Sequence, residues 1–200
     1  MTDPDLTDPE EPAVRVAVRR RVPVATAALL GAALLGTVLA ATLWPGLRDA
    51  LGRDGDAVLH GQVWRLVTPV LVQPGPAAVV VALFVLVALV AWPAERWFGS
   101  ARMATLYLAG TVAGNAAGIW WDPHGAGIAV AGCGVLGGFA VWWLRMRRSG
   151  PVSAGLWVIA IGLSLALGHA IWGVALLAGA VAGAVVLRAV PAVYRGQVRG

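Results

Sequence analysis

The sequence predicts an all-α, polytopic membrane protein built as a bundle of six transmembrane helices. Three observations carry this. Hydrophobic residues make up 59% of the 200 and charged residues only 12%, which is more apolar surface than a soluble domain of this size can hide. The charges are clustered, and the uncharged stretches between them are about 20 residues long, the length that crosses ~30 Å of hydrocarbon. Every basic residue is Arg, and twelve of the fifteen fall on one side of a six-span arrangement, with only Arg48, Arg53 and Arg65 on the other. That bias predicts cytoplasmic termini.

Taken in order, residues 1–21 read as a cytoplasmic tail. Asp3, Asp5, Asp8, Glu10 and Glu11 alternate with prolines and show no apolar periodicity, and Arg15, Arg19, Arg20 and Arg21 close the segment. A membrane domain follows over residues 22–190, and 191–200 form a second short cytoplasmic tail. The first span runs from Val22 to about Pro45, too long for a signal-peptide core and without its cleavage site. Leu47 to Gly75 is the only long polar connection, and its apolar positions suggest a segment lying in or dipping into the interface. The second span covers about Pro76 to Trp92, and Pro93 to Ser100 is expected to be a tight turn. The third covers about Ala101 to Trp121, with Gly110, Gly114 and Gly118 lining one face so that another backbone can approach. Asn115 would be costly against lipid and so is expected to face the bundle. After Asp122 to Gly127 come a fourth span ending at Leu144, a fifth over Val152 to Leu167, and a sixth from about Trp172 to Val190. Gly179 and Gly183 repeat the small-residue spacing in the sixth. Trp44, Trp92, Trp97, Trp120, Trp121 and Trp172 sit near span ends, as an aromatic belt should.

Several function classes drop out. One cysteine allows no intrachain disulfide. The formal charge of +5 is explained by membrane orientation, so no nucleic-acid partner is expected. No H-E-x-x-H, C-x-x-C or phosphate-binding glycine loop occurs, so neither a metal nor another cofactor is expected. A transporter or channel would need intramembrane polar groups, and few besides Asn115 are present. Arg usage and richness in Ala, Val and Gly suit a GC-rich bacterial genome, hence a bacterial plasma membrane.

One stretch could carry chemistry: V-A-G-C-G-V-L-G-G, residues 130–138, with Cys133 between Gly132 and Gly134. Its setting is ordered. Trp64-Arg65 and Thr68-Pro69 lie in the long connection. Glu95-Arg96 with Gly99-Ser100 follows the second span. Gly110, Gly114 and Asn115 fall in the third, the glycine-flanked cysteine opens the fourth, and Gly179 and Gly183 mark the sixth. In that order, over Gly61 to Leu187, the chain resembles the rhomboid family of intramembrane serine proteases, with its W-R-x-x-T-P and E-R-x-x-G-S elements.

The resemblance implies a six-span core and also marks where this chain departs from it. The family's G-x-S-G serine position is held here by Cys133. Leu176 occupies the place of the catalytic histidine, and Val79 and Leu83 occupy the second-span places of a His and an Asn that help hold the oxyanion. Without base or oxyanion donors, proteolysis loses many orders of magnitude. The resemblance therefore implies a pseudoprotease whose partners are the lipid bilayer and the transmembrane segments of client proteins. The alternative is an active intramembrane protease with Cys133 as nucleophile and His124 or His169 as a relocated base, although His169 lies seven residues, or ~10 Å of helix, before Leu176. Read from the residues alone, Cys133 is a small buried packing residue. Trp64-Arg65 is expected to anchor at lipid headgroups, and Glu95-Arg96 to clamp spans two and three.

Overall fold

The computed structural model describes residues 23–145, 152–186 and 188. The expected tails at 1–21 and 191–200, the end of the sixth span, and Arg147 and Arg148 lie outside the described residues. Six long helices form the bundle. Helix α1 (Val24–Thr42) leads into two short helices, α2 (Leu47–Leu51) and α3 (Gly55–Leu59), followed by α4 (Ala77–Phe98), α5 (Ser100–Trp121), α6 (Ala129–Arg145), α7 (Val152–Leu167) and α8 (Ile171–Val186). The six Trp residues expected at span ends are all exposed, consistent with a belt at the membrane surface.

The second span corrects the expected turn at 93–100. Helix α4 continues straight through Pro93 to Phe98, and Gly99 alone separates it from α5. Gly99 has φ 86°, a left-handed geometry that glycine adopts without a Cβ penalty. Proline is tolerated inside a membrane helix when neighbouring groups satisfy the freed carbonyls. The extra turns also serve a purpose, because they carry Glu95 to the start of α1. Its carboxylate accepts hydrogen bonds from the amides of Ala25 (2.9 Å) and Thr26 (2.6 Å) and from Ser100 Oγ (2.5 Å). The first amides of a helix have no partner within it, and Pro23 brings no side-chain cap, so a carboxylate from another helix does the capping, where negative charge also suits the helix dipole. The clamp thus joins three helices rather than two, and Arg96 remains exposed.

Helix α6 is the centre, packed against α4, α5, α7 and α8. Its glycines make this possible, each toward a different neighbour. A Cβ on Gly132 would come within 2.8 Å of the Val87 side chain on α4, and one on Gly134 within 2.6 Å of the Leu106 carbonyl and 2.7 Å of Gly110 Cα on α5. On the other side Gly179 of α8 is pressed against the backbone of Gly134, and Gly183 lies 2.9 Å from Gly138 Cα by the same measure. Close backbone approach of this kind supplies the dispersion contacts that hold helices together in lipid, where no hydrophobic force does so. At one end of α6, Phe139 packs with Trp97, Phe98, Trp142 and Trp143, ring centroids 4.7–6.2 Å apart among the five.

The long connection is a folded unit rather than a segment lying flat in the interface. Beyond α2 and α3 it contains a two-residue strand β1 (Arg53–Asp54) and two 3-10 turns, Val63–Leu66 and Thr68–Leu71. Strand β1 pairs antiparallel with β2 (His124–Gly125), Arg53 opposite Gly125 and Asp54 opposite His124. Pro69, Val70, Val72 and Gln73 are buried, whereas Leu59, Val63 and Trp64 are exposed. Gln73 ties the unit in: its amide donates to Thr37 Oγ1 of α1 (3.0 Å), and its Oε1 accepts from the amide of Ile128, just before α6 (3.0 Å).

Candidate functional site

Cys133 lies in the second turn of α6 and packs against Val130, Ile171 and Ala175. None of these can take a proton, and a thiolate rather than a thiol is the nucleophile in acyl transfer. Leu176, one residue beyond Ala175, is 3% exposed. Its side chain sits against Gly162 of α7, and its carbonyl meets Gly137 of α6. The α6–α8 seam that holds the cysteine is thus closed by hydrocarbon and backbone.

The second-span positions do not converge on the thiol. Val79 is 48% exposed, and Leu83 packs with Ala33, Val87 and Ile128. The three histidines are engaged elsewhere. His60 Nδ1 donates to the Asp56 carbonyl (2.7 Å), and His124 is exposed in β2 opposite Asp54. His169 is exposed with φ 59°, its ring edge-on to Trp121 at 5.1 Å between centroids. Among the described residues, no three His, Cys, Asp or Glu side chains gather into a set that could hold a metal ion.

The polar chemistry is concentrated in the long connection instead. Arg53 is 3% exposed. Its Nε donates to the Asp122 carbonyl (2.7 Å), Nη1 to Asn115 Oδ1 (2.8 Å) and Nη2 to Asp122 Oδ2 (2.5 Å). Asn115 Nδ2 in turn donates to the Leu66 carbonyl (3.0 Å). Burial lowers the Arg53 pKa and the Asp122 carboxylate works against that, leaving an arginine charged at physiological pH. Asn115 faces the bundle as expected, for a reason the sequence did not give: it bridges a buried guanidinium and a loop carbonyl.

Two expectations are corrected here. Gly118 does not admit another helix; a Cβ there would lie 2.5 Å from Arg53 Nε, so the glycine makes room for the guanidinium. Gly110 and Gly114 do meet other helices, at Gly134 and at Val130 with Ala175. Nor is Arg65 free to act solely as a headgroup anchor, since two of its three guanidinium nitrogens are bonded inside the connection. Its Nε donates to Gln62 Oε1 (2.7 Å), and its Nη1 to the carbonyls of Asp49 (2.7 Å) and Gly52 (2.8 Å), because loop carbonyls left without helix partners lie within its reach. Trp64 beside it is 52% exposed. Thr68 Oγ1 donates to the Leu51 carbonyl (2.8 Å), and Pro69 is buried, so W-R-x-x-T-P acts as an internal brace. Sequence reasoning missed Arg53, Gln73 and Thr26. No local pattern in the sequence marked Arg53 as buried.

No curated protein shows significant sequence similarity to the chain. The family model of the rhomboid domain matches residues 60–191, which takes in Trp64 to Pro69, Glu95, the Cys133 seam and α8. The chain belongs to the rhomboid family of intramembrane proteins.

Proposed function

We propose that this rhomboid-family protein has no protease activity and binds transmembrane segments of client membrane proteins. One observation carries the first half: Cys133 packs on Val130, Ile171 and Ala175, while Leu176 turns its side chain to Gly162. A rhomboid acyl transfer needs a base within ~3 Å of the nucleophile and donors aimed at the oxyanion. Hydrocarbon stands at each of those places.

For the second half, α4 and α7 both pack on α6 and turn apolar side chains outward. Val81, Val85 and Leu89 on α4, and Trp157 and Ile161 on α7, are each more than half exposed. An apolar groove of about 170 Å³, bordered by Leu89, Pro93, Trp97, Leu136, Phe139 and Trp143, runs between α4 and α6. Close helix packing in lipid needs such a shaped apolar face. The protein is a bacterial plasma-membrane protein with both termini in the cytoplasm, a topology that follows from its arginine distribution.

The test has two arms. Purified protein in lipid is incubated with helical substrates that active rhomboids cut, alongside Cys133→Ala. No cleavage by either is expected; cleavage by the wild type that vanishes in the variant would establish an active protease using Cys133. A photocrosslinker at Leu89 is expected to capture transmembrane segments more strongly than one at Leu34 of α1, also exposed. Equal capture at both positions would refute client binding along α4.

A further inference from the structure

A second cavity, of about 250 Å³, lies in the long connection beside the β1–β2 pair. Arg48, Asp49, Arg53, Asp54, Arg65 and His124 contribute to its walls. Not all of these charges are committed elsewhere. Arg53 uses all three guanidinium nitrogens on Asn115 and Asp122, and the Asp54 carboxylate accepts from the Ala57 amide. Arg65 uses Nε and Nη1, leaving Nη2 unbonded among the described residues. Arg48 and Asp49 are exposed, and neither side chain has a hydrogen bond or ion pair among the described residues. One whole guanidinium, one further guanidinium nitrogen and one carboxylate therefore border the cavity without partners.

The surroundings fix the depth of this cavity in the membrane. Helix α1 ends at Thr42, and Leu43 and Trp44, a few residues before Arg48, are 77% and 61% exposed. Val63 and Trp64, beside Arg65, are exposed as well. Exposed tryptophan and aliphatic side chains at the end of a span mark the headgroup layer. The group most abundant there is a phosphodiester, and a planar guanidinium fork matches phosphate oxygens.

We propose that this cavity binds a phosphoryl group through Arg48 and the free Nη2 of Arg65. The Asp49 carboxylate beside them selects a head group that also carries an ammonium. Opposite charges in one cavity suit a zwitterion better than a net anion, because the carboxylate attracts an ammonium that the anion lacks.

The test uses the full chain, stripped of lipid in detergent, with its thermal unfolding midpoint followed during separate additions of short-chain phosphatidylethanolamine, short-chain phosphatidylglycerol and inorganic phosphate. Ligand that binds only the folded state raises the midpoint. The ethanolamine lipid is expected to raise it in the wild type, and Arg48→Ala to weaken that response about tenfold, the loss of one charge-assisted contact. Arg48 is exposed and unpaired, so the variant's midpoint without ligand is expected to be unchanged. Asp49→Asn is expected to shift preference toward the glycerol lipid; an unchanged preference overturns the role given to Asp49. An equal, Arg48-dependent response to inorganic phosphate at similar concentration would identify free phosphate as the ligand and uphold the phosphoryl site. If no probe gives a response that depends on Arg48, the proposal is overturned.

Discussion

Substituting Gly134 by alanine probes the packing on which the bundle depends. A Cβ at this position would lie 2.6 Å from the Leu106 carbonyl oxygen and 2.7 Å from Gly110 Cα. Both atoms belong to the backbone of α5, so no side chain can swing aside. The optimum for such contacts is ~3.5–4.0 Å, so α5 and α6 must part by roughly 1 Å. Retreat is blocked on the far side, because Gly179 of α8 is pressed against Gly134 itself. Overpacking of this kind costs about 1–3 kcal/mol, and alanine's better helix propensity returns up to ~1 kcal/mol. The net loss should be on the order of 1–2 kcal/mol. Gly31→Ala in α1 is the control: a Cβ there meets nothing within 4 Å, so only the propensity gain remains, about 0.5–1 kcal/mol. Reversible unfolding of both variants in mixed micelles should separate them by roughly 1–3 kcal/mol, because the propensity gain is common to both. A Gly134→Ala protein as stable as Gly31→Ala would refute the close α5–α6–α8 contact.

Arg53→Lys is expected to destabilise the protein by about 1–3 kcal/mol despite keeping the charge, since an ammonium cannot serve three acceptors in the guanidinium's plane; protease sensitivity of the long connection checks it, and an unchanged cleavage rate would refute the brace. Glu95→Ala should speed hydrogen exchange at the amides of Ala25 and Thr26, which lose their only cap; unchanged exchange there would mean the carboxylate does not hold α1. A reporter fused after Gly200 should be active only in a cytoplasmic form; external activity would refute the inferred orientation.

The sequence alone determined the number and order of the spans, though not where the second ends, because crossing a bilayer demands length and apolarity and both are local properties of the chain. It also determined that α5 turns Asn115 inward and that Gly110, Gly114, Gly179 and Gly183 belong at close contacts, since an amide is costly in lipid and small residues permit approach. The resemblance to the rhomboid family, rather than any local pattern, implied that Leu176, Val79 and Leu83 stand where catalysis would want polar groups. Only the tertiary structure decided what meets what. Gly118 reads in sequence as one more step of a helix-packing stripe, yet it faces a guanidinium from 65 residues upstream. Glu95 reads as part of a turn, yet it lies within a helix and caps another 70 residues away. Arg65 reads as a membrane anchor, yet it binds carbonyls of its own loop. In the last two cases the partner is a backbone group left over at a helix end or loop. The location of those orphaned groups follows from how the helices pack, not from any pattern within a single segment.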